Sequence, residues 1–222
     1  GLLFVPLLAA HQLTDGAARI SLFWAFVAFS LCASSVYIAN DLLDLESDRQ
    51  HPRKRNRPFA SGALAVYKGA AVAPLLLLLS CLLGAYVGPV FLQWLLIYFL
   101  LTCVYSVKLK QLVLVDCMTL AILYTLRIVA GAAAVGSAMS FWLLAFSVFL
   151  FLSLAFIKRF AELQVQLLQG KHKAHGRGYV TDDAPLIQML GIASGFMSVL
   201  VLALYLNSPE VQLLYVQPAW VW

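Results

Sequence analysis

Charge is scarce in this chain. Only 11% of its 222 residues are Asp, Glu, Lys or Arg, whereas 63% are hydrophobic and the mean hydropathy is +0.89. That balance lies outside the range of soluble globular domains. Short segments of alternating polarity are missing too, which excludes a transmembrane β-barrel. Cysteine is sparse: Cys32, Cys81, Cys103 and Cys117 all fall inside apolar runs without CxxC spacing. They read as small buried hydrophobes rather than as a redox pair or a metal site. No secretory signal with a basic leading region is visible in these residues. Nor is there a clear internal repeat of the kind that marks many carriers. No nucleic-acid partner is expected, and nothing in the sequence sets an oligomeric state. The chain opens at GLLFVPLLAA without methionine and stops at AWVW inside an apolar run. The expectation is therefore a fragment with a clipped helix at each end.

What is present in quantity is apolar runs of roughly 18–25 residues, the length that a bilayer demands of a helix. A partial first helix ends near Leu13. Further spans are expected at Ala17–Leu43, Tyr67–Val87, Val90–Val107, Leu114–Val135, Phe141–Phe160 and Pro185–Leu206, with the start of an eighth at Leu213–Trp222. The fold class predicted is all-α, a polytopic transmembrane helix bundle, with residues 1–222 forming a single transmembrane domain. Two long polar loops are expected, at Leu45–Val66 and Ala161–Ala184. Thirteen of the 15 bases lie in or beside these loops or the short turn carrying Lys108 and Lys110. With the helices counted in this way, all thirteen fall on one side, and the positive-inside rule makes that side cytoplasmic. The exceptions are Arg19, in an opposite turn, and Arg127, near the middle of a span. Trp24, Trp94 and Trp142 stand near helix ends as interfacial anchors.

The stretch from Asn40 to Pro58, NDLLDLESDRQHPRKRNRP, breaks this pattern with four acids and five bases. Each residue of an α-helix advances by about 100°, so with Asn40 at zero, Asp44, Asp48 and Asp41 fall at about 40°, 80° and 100°. One amide and three carboxylates thus share an arc at the cytoplasmic end of a helix. Carboxylates held so close repel one another unless a cation neutralises them. Hard oxygen ligands favour Mg²⁺, commonly held by one or two carboxylates together with substrate phosphates. The bases that follow, Arg53, Lys54, Arg55 and Arg57, suit those phosphates. The plainer alternative is a solvated loop in which acids and bases screen each other.

Asn40-Asp41-x-x-Asp44-x-x-x-Asp48, followed by Arg57-Pro58-x-x-Ser61-Gly62, resembles the first aspartate-rich motif of the UbiA superfamily of intramembrane prenyltransferases. Tyr105 to Asp116, YSVKLKQLVLVD, is similar to that family's second cytoplasmic loop. The resemblance spans nearly the whole chain and implies about nine transmembrane helices in the full protein, about eight of them represented here. It also implies a pyrophosphate bound through Mg²⁺ in a central cavity. One departure stands out. Where typical members carry a second DxxxD motif, this chain reads FIKRFAELQVQLL, with Lys158, Arg159 and Glu162 in place of acids. On a helix these three share an arc, near 0°, 100° and 40° by the same rule. The expectation is one carboxylate cluster facing one mainly cationic cluster. This pattern, with His51-Pro52-x-Lys54-x-x-Arg57-Pro58, resembles the decaprenyl-phosphate phosphoribosyltransferase branch (decaprenylphosphoryl-5-phosphoribose synthases).

The resemblance implies transfer of 5-phosphoribose from phosphoribosyl pyrophosphate to a polyprenyl phosphate, at the cytoplasmic side of the inner (plasma) membrane, with pyrophosphate released. The alternative is a conventional prenyltransferase joining a prenyl pyrophosphate to an aromatic or other small acceptor. A lipid-phosphate or anion carrier is third. The metal set expected is Asp41, Asp44 and Asp48. Substrate contacts are expected from Asn40, Lys54, Arg57, Tyr105, Lys108, Arg127, Lys158, Arg159 and Glu162. Tyr105 and Lys108 are i,i+3 neighbours at a helix end. Glu162 could orient Lys158 or Arg159, or accept a ribose hydroxyl. Arg127 has no acid nearby in its helix, and a mid-membrane arginine usually faces a bundle interior or polar cavity. It is expected to hold a phosphate there, the alternative being a purely structural partner. His51, His172 and His175 resemble ligand candidates, but a solvated loop suits His172 and His175 better. Asp116 reads as a charge favoured by the dipole at a helix start.

Overall fold

A computed structural model of the chain describes residues 1–6, 16–50, 54–168, 170 and 178–208. After a short 3₁₀ turn at Leu2–Phe4, its helices are α1 (Gly16–Leu43), α2 (Leu45–Gln50), α3 (Val66–Val87), α4 (Pro89–Val107), α5 (Val115–Val135), α6 (Phe141–Leu168) and α7 (Ala184–Leu206). All but the short α2 are long and apolar enough to cross a bilayer. The chain is a membrane protein of the all-α class. Most of the first expected span and all of the eighth lie outside the described residues.

Two expected boundaries change. Helix α6 does not stop at Phe160 but continues to Leu168, so the second polar loop is shorter than the sequence suggested. Ala161, Glu162, Leu163, Gln164, Gln166, Leu167 and Leu168 are good helix formers, and no proline interrupts them. Gly170, at φ +65°, adopts the left-handed conformation beyond the helix end, its N–H donating to Leu167 O at 3.0 Å. The first polar loop also contains regular structure, because α2 carries the acid cluster on beyond α1. Asp44 N–H donates to Asn40 O at 2.9 Å and Asp48 N–H to Asp44 O at 2.8 Å. The helical hydrogen-bond ladder therefore runs on past Leu43. The arc drawn from the sequence depends on that continuity.

The chain forms two compact units. One comprises Gly1–Ser106 with Leu126–Ser137, the other Val107–Thr125 with Ala138–Trp222. In the first, α1 and α3 run antiparallel: Ser35 Oγ donates to Ala73 O and Ser80 Oγ to Ala28 O, both at 2.7 Å. Ala25, Ala28, Cys32 and Ser80 are fully buried. Small residues and hydroxyl-to-carbonyl bonds are how helices approach closely where lipid supplies no hydrophobic drive. At the polar end of this pair, Phe59 is buried in a notch left by Gly69. A Cβ on Gly69 would lie 2.8 Å from the Phe59 ring. That packing anchors the segment carrying Lys54 and Arg57.

In the second unit, α6 and α7 pair by the same means. Ser153 Oγ donates to Gly191 O at 2.8 Å, and Gly191 lets the Phe156 side chain come close. Their core of Ala155, Phe156, Leu163, Ala184 and Ile187 also takes in Cys117 of α5 and Tyr179. All four cysteines are free thiols. Cys32 and Cys117 are buried as expected, whereas Cys81 and Cys103 are only half-buried.

Candidate active site

The acid cluster takes shape in the first unit. Arg57 Nη1 donates to Asp41 Oδ1 at 2.8 Å and to Asp48 Oδ2 at 2.7 Å. One guanidinium therefore ties the first and last carboxylates of the arc together. Asp48 is 1% exposed, and Lys54 Nζ stands 3.6 Å from its Oδ1. Burying such a charge is costly unless it is paired, and these two bases provide the pairing. Asp44, between Asp41 and Asp48 in the chain, is half-buried on the continuous ladder. Asn40 Nδ2 donates to Ser106 Oγ of α4 at 3.0 Å, which ties the start of the cluster to a second helix. The sequence pattern supplied Asn40, Asp41, Asp44, Asp48, Lys54 and Arg57, and the fold brings them together. Ser106 was not anticipated.

Among the described residues, no three acids, histidines or cysteines converge on one point as a closed metal cage. The donor set still suits a hard cation that arrives with a phosphate ligand. Asp41 is 31% exposed at its side chain, and Asp48 Oδ1 is buried without accepting a hydrogen bond. Magnesium commonly takes only one or two carboxylates and completes its shell with water and substrate oxygens. His51, His172 and His175 lie outside the described residues.

The second cluster belongs to the second unit and differs from the expectation. Lys158 is exposed, but Arg159 is 1% exposed and committed internally. Its Nη2 is 2.6 Å from Asp116 Oδ2, its Nη1 donates to Glu162 Oε2, and its guanidinium lies over the Tyr179 ring at 5.4 Å. Asp116 is fully buried. The expected cationic face is thus a balanced set of two bases and two acids. The wheel was correct in joining Arg159 to Glu162, but it could not show that α5 and Tyr179 cover one side of the helix. Asp116 serves as a buried counter-ion rather than only as a helix-start charge.

Tyr179 closes this cluster. Its hydroxyl accepts the Leu114 N–H at 3.0 Å and lies 3.6 Å from Cys117 Sγ. Burial, with the neighbouring thiol adding to it, pushes the phenol well above its ordinary range, so it remains neutral. Leu114 sits at φ +66°, a left-handed conformation that a leucine rarely adopts. Beside it, Gly178 lies so close to Gln111 that a Cβ would be 2.1 Å from the Gln111 carbonyl oxygen. No sequence signal marks Tyr179. Asp116 and Arg159 could have been paired on the ground that charges in apolar helices rarely stand alone.

Arg127 donates to Tyr98 Oη at 2.9 Å and lies 5.4 Å from the centre of the same ring. Tyr98 is 3% exposed and packs on Phe29 with ring centres 4.5 Å apart. A tyrosine therefore supplies both an acceptor and a π-face to the membrane arginine. Tyr105 is half-buried near the end of α4. Lys108 is exposed and lies beyond the helix end at φ −129°, ψ −49°, so the same-face argument for that pair does not hold.

The sequence model of the UbiA prenyltransferase family matches residues 2–205. The chain is 38% identical over its whole length to uncharacterized protein y4nM of Sinorhizobium fredii, but spans only 43% of that protein. It is 35% identical to nodulation protein NoeC of Azorhizobium caulinodans, over 95% of this chain and 68% of that one. It is 34% identical to decaprenyl-phosphate phosphoribosyltransferase of Mycolicibacterium smegmatis, over 70% of this chain and 48% of that one. Among solved structures, a UbiA homolog from Archaeoglobus fulgidus bound to GPP and Mg²⁺ superposes with a TM-score of 0.72. That likeness covers 90% of this chain and 70% of the other at 16% identity, and it establishes the fold.

Proposed function

The chain belongs to the UbiA prenyltransferase family, and from that premise we propose that it moves 5-phosphoribose from phosphoribosyl pyrophosphate to a polyprenyl phosphate. The observation that carries this reading is the state of the two carboxylates beside α6. Arg159 is shared between Asp116 and Glu162, so these two acids are engaged by a base rather than open to a second metal. A prenyl pyrophosphate donor held by two metals would need an open acid pair. A donor with one metal-bound pyrophosphate, and an acceptor with a single phosphate, would not. Similarity to the decaprenyl-phosphate phosphoribosyltransferase over 70% of the chain supports the same choice.

In this mechanism Asp41, Asp44 and Asp48 would hold Mg²⁺, with Asn40 in support. The ion, when bound, would offset the charge that builds on the departing pyrophosphate. Lys54 and Arg57 bind the pyrophosphate oxygens, Arg57 through its planar fork. Tyr105, Lys108 and Arg127 contribute further substrate contacts. Lys158 meets a phosphate, Arg159 keeps Glu162 in place, and Glu162 accepts a ribose hydroxyl. The acceptor phosphate is already an anion, so stabilising the leaving group matters more than a strong general base. The bases in the polar loops support a reaction on the cytoplasmic face of the inner (plasma) membrane.

The test supplies purified protein and Mg²⁺ with labelled phosphoribosyl pyrophosphate and polyprenyl phosphate. A labelled lipid is expected. Turnover only with prenyl pyrophosphate and an aromatic acceptor would replace this reading with the conventional prenyltransferase.

A further inference from the structure

Arg57 holds an unusual place for a residue expected to bind substrate. A single nitrogen, Nη1, donates to both Asp41 and Asp48, at 2.8 and 2.7 Å. It is also held by its surroundings. Arg57 N–H donates to Lys54 O and Ser61 N–H to Arg57 O, both at 2.9 Å, while Phe59 is buried two residues on. The guanidinium therefore reaches the acids from a braced turn, unlike an isolated surface pair, whose net worth is small. The other oxygen of buried Asp48, Oδ1, accepts no hydrogen bond, and Lys54 Nζ at 3.6 Å is beyond that reach. Arg57 thus engages two of the three carboxylates, and one buried carboxylate oxygen, a hard donor, accepts no hydrogen bond.

We infer that Arg57 is the resting counter-ion of the acid cluster and makes divalent-cation binding depend on the arrival of a pyrophosphate. This inference rests on the reading that the cluster takes a metal-bound pyrophosphate, and adds how the two bind. A free divalent cation would have to enter beside a guanidinium that already occupies Asp41 and Asp48. It would either share carboxylates with a like charge or strip Arg57 of its partners. A pyrophosphate removes that conflict, because its oxygens give the guanidinium a new bidentate partner while the cation takes the carboxylates. The two ligands then bind cooperatively, and linkage requires the effect to be reciprocal. The resting protein would not accumulate bare metal at a site exposed to cytoplasmic ions.

The test reads binding, not turnover. Mn²⁺, visible by electron paramagnetic resonance, is added to the protein in lipid nanodiscs with and without inorganic pyrophosphate. Comparison between variants under identical conditions removes the contribution of Mn²⁺–pyrophosphate association in solution. Wild-type protein should bind Mn²⁺ weakly alone and roughly tenfold or more tightly with pyrophosphate, within the usual range of coupling between sites. R57Q should bind Mn²⁺ alone more tightly than wild type and gain little from pyrophosphate. R57K, which keeps a positive charge but not the fork, should fall between them and stands in if R57Q does not fold. Equal Mn²⁺ affinity of wild type and variants without pyrophosphate would overturn the inference while leaving the metal site intact. No Mn²⁺ bound by any form, with or without pyrophosphate, would overturn the metal site itself.

Discussion

Lys158 and Arg159 are neighbours with the same charge, yet the fold assigns them different work. Lys158 is exposed on α6, whereas Arg159 is 1% exposed between Asp116, Glu162 and the Tyr179 ring. Truncating each should therefore fail differently. Arg159→Ala strands the fully buried Asp116 and should cost about 3–5 kcal/mol of stability, seen as earlier unfolding in a denaturing-detergent titration. Combining it with Asp116→Asn should restore much of that loss. Lys158→Ala should leave unfolding unchanged. If Lys158 meets a substrate phosphate, its loss should cost on the order of 2–5 kcal/mol in transfer, which is roughly thirtyfold or more. Asp44→Asn should abolish nearly all turnover with stability retained, because a neutral amide cannot offset a metal's charge. Near-normal transfer at ordinary Mg²⁺ would remove Asp44 from the metal set. At this scale the acid cluster is legible in the sequence, because its spacing is that of one helix and the ladder runs unbroken past Leu43. The enclosure of Arg159 is not legible. A helical wheel describes one helix and not what packs on it.

At the scale of elements, the segment before α5 and the segment before α7 are clasped by Tyr179. Its hydroxyl accepts the N–H of Leu114, a leucine held at φ +66°, while Gly178 presses on the Gln111 carbonyl. A left-handed leucine costs of order 1–3 kcal/mol and persists only when its surroundings enforce it. Tyr179→Phe should keep the ring beneath Arg159 but strand the Leu114 N–H, costing about 1–3 kcal/mol. Amide exchange at Leu114 should speed up in that variant while exchange in the centre of α6 does not. Gly178→Ala should be worse, because its new methyl would meet backbone 2.1 Å away rather than a movable side chain. The six long helices could be placed from apolar run length alone, since the bilayer imposes that length on the sequence. Their ends were harder. The continuation of α6 to Leu168 and the short α2 are polar helix, and polar residues signal loop only until helix propensity and a capping glycine are weighed.

For the whole molecule, the side of the membrane on which each turn emerges can be argued from charge and connectivity together. Six spans that each cross the bilayer once must alternate in direction, and eleven of the 15 bases lie in or beside the turns that follow α1, α4 and α6, with Lys158 and Arg159 in the last three turns of α6 itself. An even number of spans separates each of these turns from the next, so a single orientation accounts for all of them. The turns after α3 and α5 carry no base, as the rule requires of the opposite side. That orientation would put the turn carrying the acid cluster in the cytoplasm, where the proposed donor, a soluble sugar pyrophosphate, could enter without crossing the bilayer. Ser61 and Ala138 are both exposed, the first after α2 and the second between α5 and α6, and so would report opposite sides. With the four native cysteines replaced by alanine, Ser61→Cys should react with a membrane-impermeant maleimide in inverted vesicles and resist it in intact spheroplasts. Ala138→Cys should show the reverse. Labelling of both from the same side would break the alternation of spans, and labelling of Ser61→Cys only from outside would remove the phosphoribosyl donor from reach of the acids.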